Sequence, residues 1–218
     1  MFEFFYNFAG FNKQIFLIIN HATHISILPR ILQLISWPFG ISNFAVYYAV
    51  LAVYFFLTLK KLDSYSQEKE FWPFFNKMTR VGITYACFGF IYAALKFSIN
   101  LPRPFCSLPA SSFSTIINTE AERCLSSFPS AHTGLAIIIT YFLWPYVRTS
   151  GKLTAIAVVT LVGISRMTLA MHYPADIIYS FFVAFIVIIT GRIIYRVFEN
   201  NIIKRIGEII LVRLFKIT

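Results

Sequence analysis

The sequence predicts an all-α protein: a polytopic membrane helical bundle of about five or six transmembrane helices, with an N-terminal helical segment lying in the interface. Three observations carry that prediction. Of the 218 residues, 58% are hydrophobic and only 13% charged, with a mean hydropathy of +0.70; a soluble domain of this length cannot bury so much apolar surface. The apolar residues fall in stretches of span length. The cations collect at the ends of those stretches, so the formal net charge of +10 reads as membrane flanks rather than as a nucleic-acid footprint. The expected partner is the lipid bilayer, with no nucleic acid.

Residues 1–40 form the least regular part. Residues 14–19 are apolar, but Asn20, His21, His24 and Arg30 interrupt the pattern and Pro29 breaks it. Helices lying in the interface are expected here, with an extra span as the alternative. Glu3 and the lack of Lys or Arg in residues 1–12 do not fit the basic start of a cleaved signal peptide.

Residues 41–199 carry five predicted spans. Residues 41–59 are uncharged and rich in Tyr, Phe and Val; residues 81–95 lead into Lys96. Residues 133–147 reach full length with their flanks His132 and Arg148. Residues 153–169 carry Ser165 and Arg166 near their end, and residues 177–189, extended to about 195, run from Asp176 toward a basic tail. Each approaches the roughly 20 apolar residues that a bilayer core requires. Residues 200–218 alternate Ile and Leu with Lys, Arg and Glu, the pattern of an amphipathic surface helix.

Orientation follows from the cations. Thirteen Lys and Arg, from Lys60 to Lys216, flank one side of the five spans, while the other side holds only Lys96, Arg103, Arg123 and Arg166. The richer side is expected to face the cytoplasm. The poorer side then faces outward, and Cys106 and Cys124 lie there in the loop 105–128, while Cys87 lies within a span. An outward compartment permits their disulfide, and two unpaired small residues fit the sequence equally well.

Three short strings gather at that outward side: KFSINLPRP at 96–104, PSAH at 129–132 and SRMTLAMHYPAD at 165–176. Asp176 follows His172 by four residues, with Pro174 suited to a first helical turn between them. At that spacing the carboxylate can accept the proton of one imidazole nitrogen in a hydrogen bond and leave the other nitrogen, with its lone pair, as a nucleophile. Ser130 suits an N-cap, so the amides of Ala131 and His132 are expected at a helix start, where an anion is favoured. His132 is placed to give a proton to a leaving oxygen. Lys96, Arg103 and Arg166 supply cations for phosphate oxygens, and Arg166 near the end of an apolar span is too costly to be incidental. Each string alone reads as capping or snorkelling; alternating topology brings all three to one membrane face.

Together the strings resemble the signature of the type 2 phosphatidic acid phosphatase (PAP2) superfamily. Lys96, Arg103 and Pro104 match its first part, Pro129, Ser130 and His132 its second, and Ser165, Arg166, His172 and Asp176 its third. The one departure is Ala131, where the family usually has glycine; a first helical position needs no positive φ, so activity is expected to survive. The resemblance implies a bacterial integral-membrane lipid phosphatase that needs no metal or cofactor. His172 would form a phosphohistidine, oriented by Asp176, with His132 protonating the leaving oxygen. Lys96, Arg103, Ser130, Ala131 and Arg166 would hold the phosphoryl oxygens. Phosphatidylglycerophosphate, undecaprenyl pyrophosphate, phosphatidic acid and lipid A are the substrate classes implied, in the inner membrane with the site on its periplasmic face. The loop 105–128, with Phe113, several serines, and Glu120 and Glu122 against Arg123, does not choose among them. The same motifs fit transfer of the phosphoryl group from His172 to another lipid instead of to water. A non-catalytic lipid-binding relative would be expected to have lost His172 or Asp176. Vanadium-dependent haloperoxidases share the site pattern, but the many spans argue against that soluble chemistry.

Overall fold

A computed structural model describes residues 6–215. Glu3 and the rest of residues 1–5, and Lys216 with the end of the tail, lie outside the described residues. The described residues are mostly helical and contain no strand; their sole extended pairing is an isolated antiparallel bridge between Pro102 and Leu125. A 3₁₀ turn at Phe8–Gly10 opens into α1 (Phe11–Thr23) and α2 (Leu28–Ser36). There follow α3 (Ile41–Leu59), α4 (Ser64–Ile99), the short α5 (Pro104–Ser107) and α6 (Ala131–Leu143). Then come α7 (Thr149–Thr168), α8 (Pro174–Phe198) and, beyond a π segment at Glu199–Ile203, α9 (Lys204–Ile210).

Among the described residues, four helical stretches are long and apolar enough to cross a membrane: α3, α4, α7 and the run Pro174–Arg213. The pair Phe8–Thr23 and Leu28–Phe39, bent by 113°, makes a fifth if it counts as one span. The stretch expected at 133–147 folds differently. It becomes α6, of only 13 residues, and tightens into a 3₁₀ turn at Trp144–Tyr146. Pro145 explains the early end, because its ring removes an amide and crowds the preceding turn. The first half of α6 is buried instead of lipid-facing: Ala131, Thr133, Gly134, Leu135 and Ala136 are all covered.

The chain divides into two compact units. The first comprises Met1–Asn43 and Phe90–Phe185, and contains all three motif strings. Here α1, α2 and α6 each pack on α7. Phe16, fully buried, joins Met167, Ala170 and Tyr173 in one apolar cluster, and Ala136, Val159 and Val162 form another. Removing a Phe side chain from water in this way stabilises by about 1.5–3 kcal/mol. Polar ties supplement it: the Asn20 amide donates to the carbonyls of Met167 and Thr168, at the end of α7, and to that of Ser114.

The second unit comprises Phe44–Gly89 and Ile186–Thr218. Leu59, Phe71 and Leu211 form its buried cluster with Trp72 and Phe75 packed on it. Gly207 permits a close approach, since a Cβ there would stand 2.6 Å from the Trp72 ring. The outer faces of α3 and α8 carry exposed Val50, Tyr54, Phe182 and Phe185, surface that suits lipid rather than water.

Candidate active site

The first motif leaves α4 at Ile99 and turns through Asn100, which is left-handed at φ 48°. Beyond it the chain is held against the segment preceding α6. Arg103 N–H donates to the Cys124 carbonyl at 2.9 Å, Ser127 N–H donates to the Leu101 carbonyl at 3.0 Å, and a disulfide joins Cys106 to Cys124. Lys96, on the last turn of α4, donates from Nζ to the Ser126 carbonyl. The first and second strings are thus fastened together by backbone pairing and a covalent bond.

Ser130 sits at the N-cap position of α6 but its hydroxyl makes no capping bond; it pairs with Thr133 Oγ1 at 3.0 Å. The first amides of a helix have no intrahelical acceptor, so those of Ala131 and His132 stay free to meet an anion at the positive end of the helix. His132 is half-buried and within electrostatic reach of Arg166, His172, Lys96 and Arg103.

The third string folds as the end of α7, a tight turn and the start of α8. Ala170 adopts φ 56°, and the Arg166 carbonyl accepts the amides of both Met171 and His172. That turn carries His172 back beside Arg166. Asp176, in the first turn of α8 and wholly buried, is surrounded by donors. Tyr6 Oη donates to Oδ1 at 2.8 Å, while Oδ2 accepts from Ser127 Oγ and, at 2.8 Å, from Tyr173 N–H. His172 Nδ1 stands 3.5 Å from the same Oδ2, and makes no hydrogen bond at that separation. Catalytic hydrogen bonds are often loose before substrate arrives.

Charge in the site is lopsided. Arg166 is 7% exposed and makes no ion pair among the described residues, and Arg103 has Glu122 as its partner at 2.9 Å. Arg103 Nε, Arg166 Nε and His172 Nδ1 are buried nitrogens without a hydrogen-bond partner. Buried cations with unused donors are expensive unless an anion completes them. Burial, and then the charges of Lys96, Arg103 and Arg166, push the His172 imidazole well below its ordinary pKa; burial likewise lowers the Arg103 guanidinium, opposed by Glu122. The imidazole is thereby biased toward its neutral form. Among the described residues no group of three or more His, Cys, Asp or Glu side chains is placed to hold a metal ion.

Residues 77–203, more than half of the chain, match the sequence profile of the PAP2 superfamily. The chain belongs to the PAP2 superfamily. The crystal structure of Aquifex aeolicus LpxE matches with a TM-score of 0.63, covering 83% of this chain and 94% of that one at 19% identity. At such identity the likeness is one of fold. No curated protein sequence matches the chain. Membership in PAP2, with the apolar helices, supports a phosphatase integral to the membrane.

In this PAP2 chain Lys96, Arg103, Ser130, Ala131, His132, Arg166, His172 and Asp176 all belong to one compact unit. In the loop, Glu122 pairs with Arg103, and Arg123 lies 4.6 Å over the Phe97 ring. Three contributors had no signal in the sequence. Ser127 is one serine among several in a loop, Tyr6 lies 170 residues from the carboxylate it touches, and Asn12 accepts the Ala175 amide at 2.9 Å from α1. Only an alignment of motif flanks could have raised Ser127; nothing local marks Tyr6 or Asn12.

Proposed function

We propose that this PAP2 protein is an integral-membrane lipid phosphatase that hydrolyses the terminal phosphate of a lipid phosphate or pyrophosphate through a phosphohistidine at His172. The observation that carries this reading is the buried, unpartnered Nε of both Arg103 and Arg166 beside a histidine whose Nδ1 faces Asp176. Lys96, Arg103, Arg166 and the free amides at the start of α6 bind the phosphoryl oxygens and offset the charge that builds on them. The His172 nitrogen remote from Asp176 attacks phosphorus. The bond from phosphorus to the lipid oxygen breaks as His132, carrying a second proton that the charge of the bound phosphate stabilises, gives that oxygen its proton. Water then attacks the phosphohistidine while His132 takes a proton back, releasing inorganic phosphate and neutral His172.

No step in this scheme calls for a metal ion. The excess of Lys and Arg on the opposite helix ends supports a site on the outer face of a bacterial inner membrane, facing the periplasm or its equivalent. Candidate substrates are phosphatidylglycerophosphate, undecaprenyl pyrophosphate, phosphatidic acid and lipid A, whose acyl or prenyl chains stay among the helices while the phosphate enters the polar site.

The test is phosphate release by the detergent-purified protein across that panel, with chelator present throughout and His172→Ala as control. Release from one of these lipids that resists chelator and is lost in the variant is expected. Unchanged hydrolysis by His172→Ala would reject the mechanism, and a preference for soluble phosphate esters would reject the lipid substrate.

A further inference from the structure

The N-terminal segment enters the site at a point no motif marks. Asp176 is fully buried, and its two oxygens are engaged separately. Oδ2 faces His172 and takes bonds from Ser127 and the Tyr173 amide. The donor to Oδ1 is Tyr6, at 2.8 Å. A carboxylate held on one oxygen alone can still turn about its Cβ–Cγ bond; a donor on each oxygen fixes its plane.

Tyr6 is itself held. Its ring stands edge-on to Phe128 at 6.2 Å and to Tyr173 at 6.5 Å, residues that adjoin the second motif and His172. Behind it, α1 is registered on the same helix ends by buried amides: Asn12 Oδ1 takes the Ala175 amide, and Asn20 donates to the carbonyls of Met167 and Thr168. The tyrosine is thus delivered to Asp176 by a segment with its own anchors on α7 and α8.

We infer that Tyr6 is a positioning residue for the phosphoryl-transfer step: its hydroxyl pins Asp176 so that the other carboxylate oxygen meets His172 Nδ1–H and the opposite ring nitrogen faces phosphorus. The inference rests on the histidine reading above. Tyr6 bonds the carboxylate and contributes nothing to the cations that bind phosphate, so its loss slows chemistry without weakening binding. Misplacement of a reacting group by about 1 Å costs up to about a hundred-fold in rate.

The experiment uses the full chain in dodecyl maltoside, with dioctanoyl phosphatidic acid in mixed micelles as the probe. Tyr6→Phe, Ser127→Ala, the double variant, Asn12→Ala and His172→Ala are compared in kcat, KM, inhibition by inorganic phosphate and thermal unfolding. Tyr6→Phe keeps the ring contacts and is expected to fold. Its kcat falls about ten- to a hundred-fold, while KM and phosphate inhibition stay within about two-fold of wild type. The double variant loses less than the product of the two single losses, because both hydroxyls hold one carboxylate. Wild-type kcat in Tyr6→Phe, with His172→Ala inactive, would overturn this inference alone. A loss matched by raised KM and lowered thermal stability, as in Asn12→Ala, would also overturn it by showing a structural role. Wild-type turnover in His172→Ala would remove the histidine reading and this inference together.

Discussion

Gly134 lies in the first turns of α6, two residues past His132, and adding a single methyl group there tests how the site is supported. A Cβ built on Gly134 would stand 1.9 Å from Tyr92 Oη, 2.5 Å from Cζ and 3.0 Å from Cε1. Tyr92 is 1% exposed and donates to the Ser180 carbonyl at 3.2 Å, so its ring has no free direction in which to withdraw. Overpacking of this kind costs about 1–3 kcal/mol, and weakening the buried hydrogen bond adds about 1 kcal/mol. The better helix propensity of alanine returns about 1 kcal/mol. Gly134→Ala should therefore destabilise the protein by about 1–3 kcal/mol, seen as a lower unfolding temperature in detergent. Activity should fall as well. Ser180 Oγ bonds the carbonyls of both Ser130 and Asp176, so strain at Tyr92 reaches two motif helices, and a kcat loss of about tenfold or more is expected. In the Gly134→Ala background, Tyr92→Leu should recover part of the lost stability. Wild-type stability and kcat in Gly134→Ala, or no response to Tyr92→Leu, would refute the packing argument.

Glu122, with 40% of its side chain exposed, pairs with Arg103; if Arg103 binds phosphate as proposed, Glu122→Gln should strengthen inhibition by inorganic phosphate by up to about fivefold, since such a partly exposed pair contributes about 1 kcal/mol or less. Weaker inhibition would mean that Glu122 orients Arg103 instead. The disulfide spans 18 residues of sequence, so Cys106→Ser with Cys124→Ser should lower stability by about 3 kcal/mol and raise KM by loosening the Arg103 segment; unchanged thermal unfolding would count against this. His172 adds a pH dependence through its depressed pKa. Below about pH 6.5 an unfolded imidazole takes up a proton that the buried one refuses, so stability falls with pH through that window, by up to about 1.4 kcal/mol per unit. Thermal unfolding of wild type from pH 7.5 to 5 should therefore decline more steeply than that of His172→Gln; parallel slopes would show that the histidine accepts its proton in the folded state.

The helical class, the membrane setting and the family's motif strings were legible in the chain because each depends on neighbours in sequence. Apolar runs of span length, prolines at helix starts and the His172-to-Asp176 spacing are all local. The length of α6 was less legible: an apolar run reads alike whether lipid or protein covers it, and the structure buries its first half against protein. The disulfide was also undecided by sequence, because pairing requires the two Cα atoms to approach, here to 5.7 Å. Which carboxylate meets Arg103, and which hydroxyls hold Asp176, were decided only by tertiary packing. Tyr6 and Asn12 reach the start of α8 across 170 and 163 residues of chain. By itself, then, the sequence determined the helical class, the family and the local spacing of the motif residues; the tertiary structure decided which distant donors surround them. A hydrogen bond between segments so far apart leaves no periodicity, cap or spacing in the chain, because it exists only once burial has excluded water and brought the two partners together.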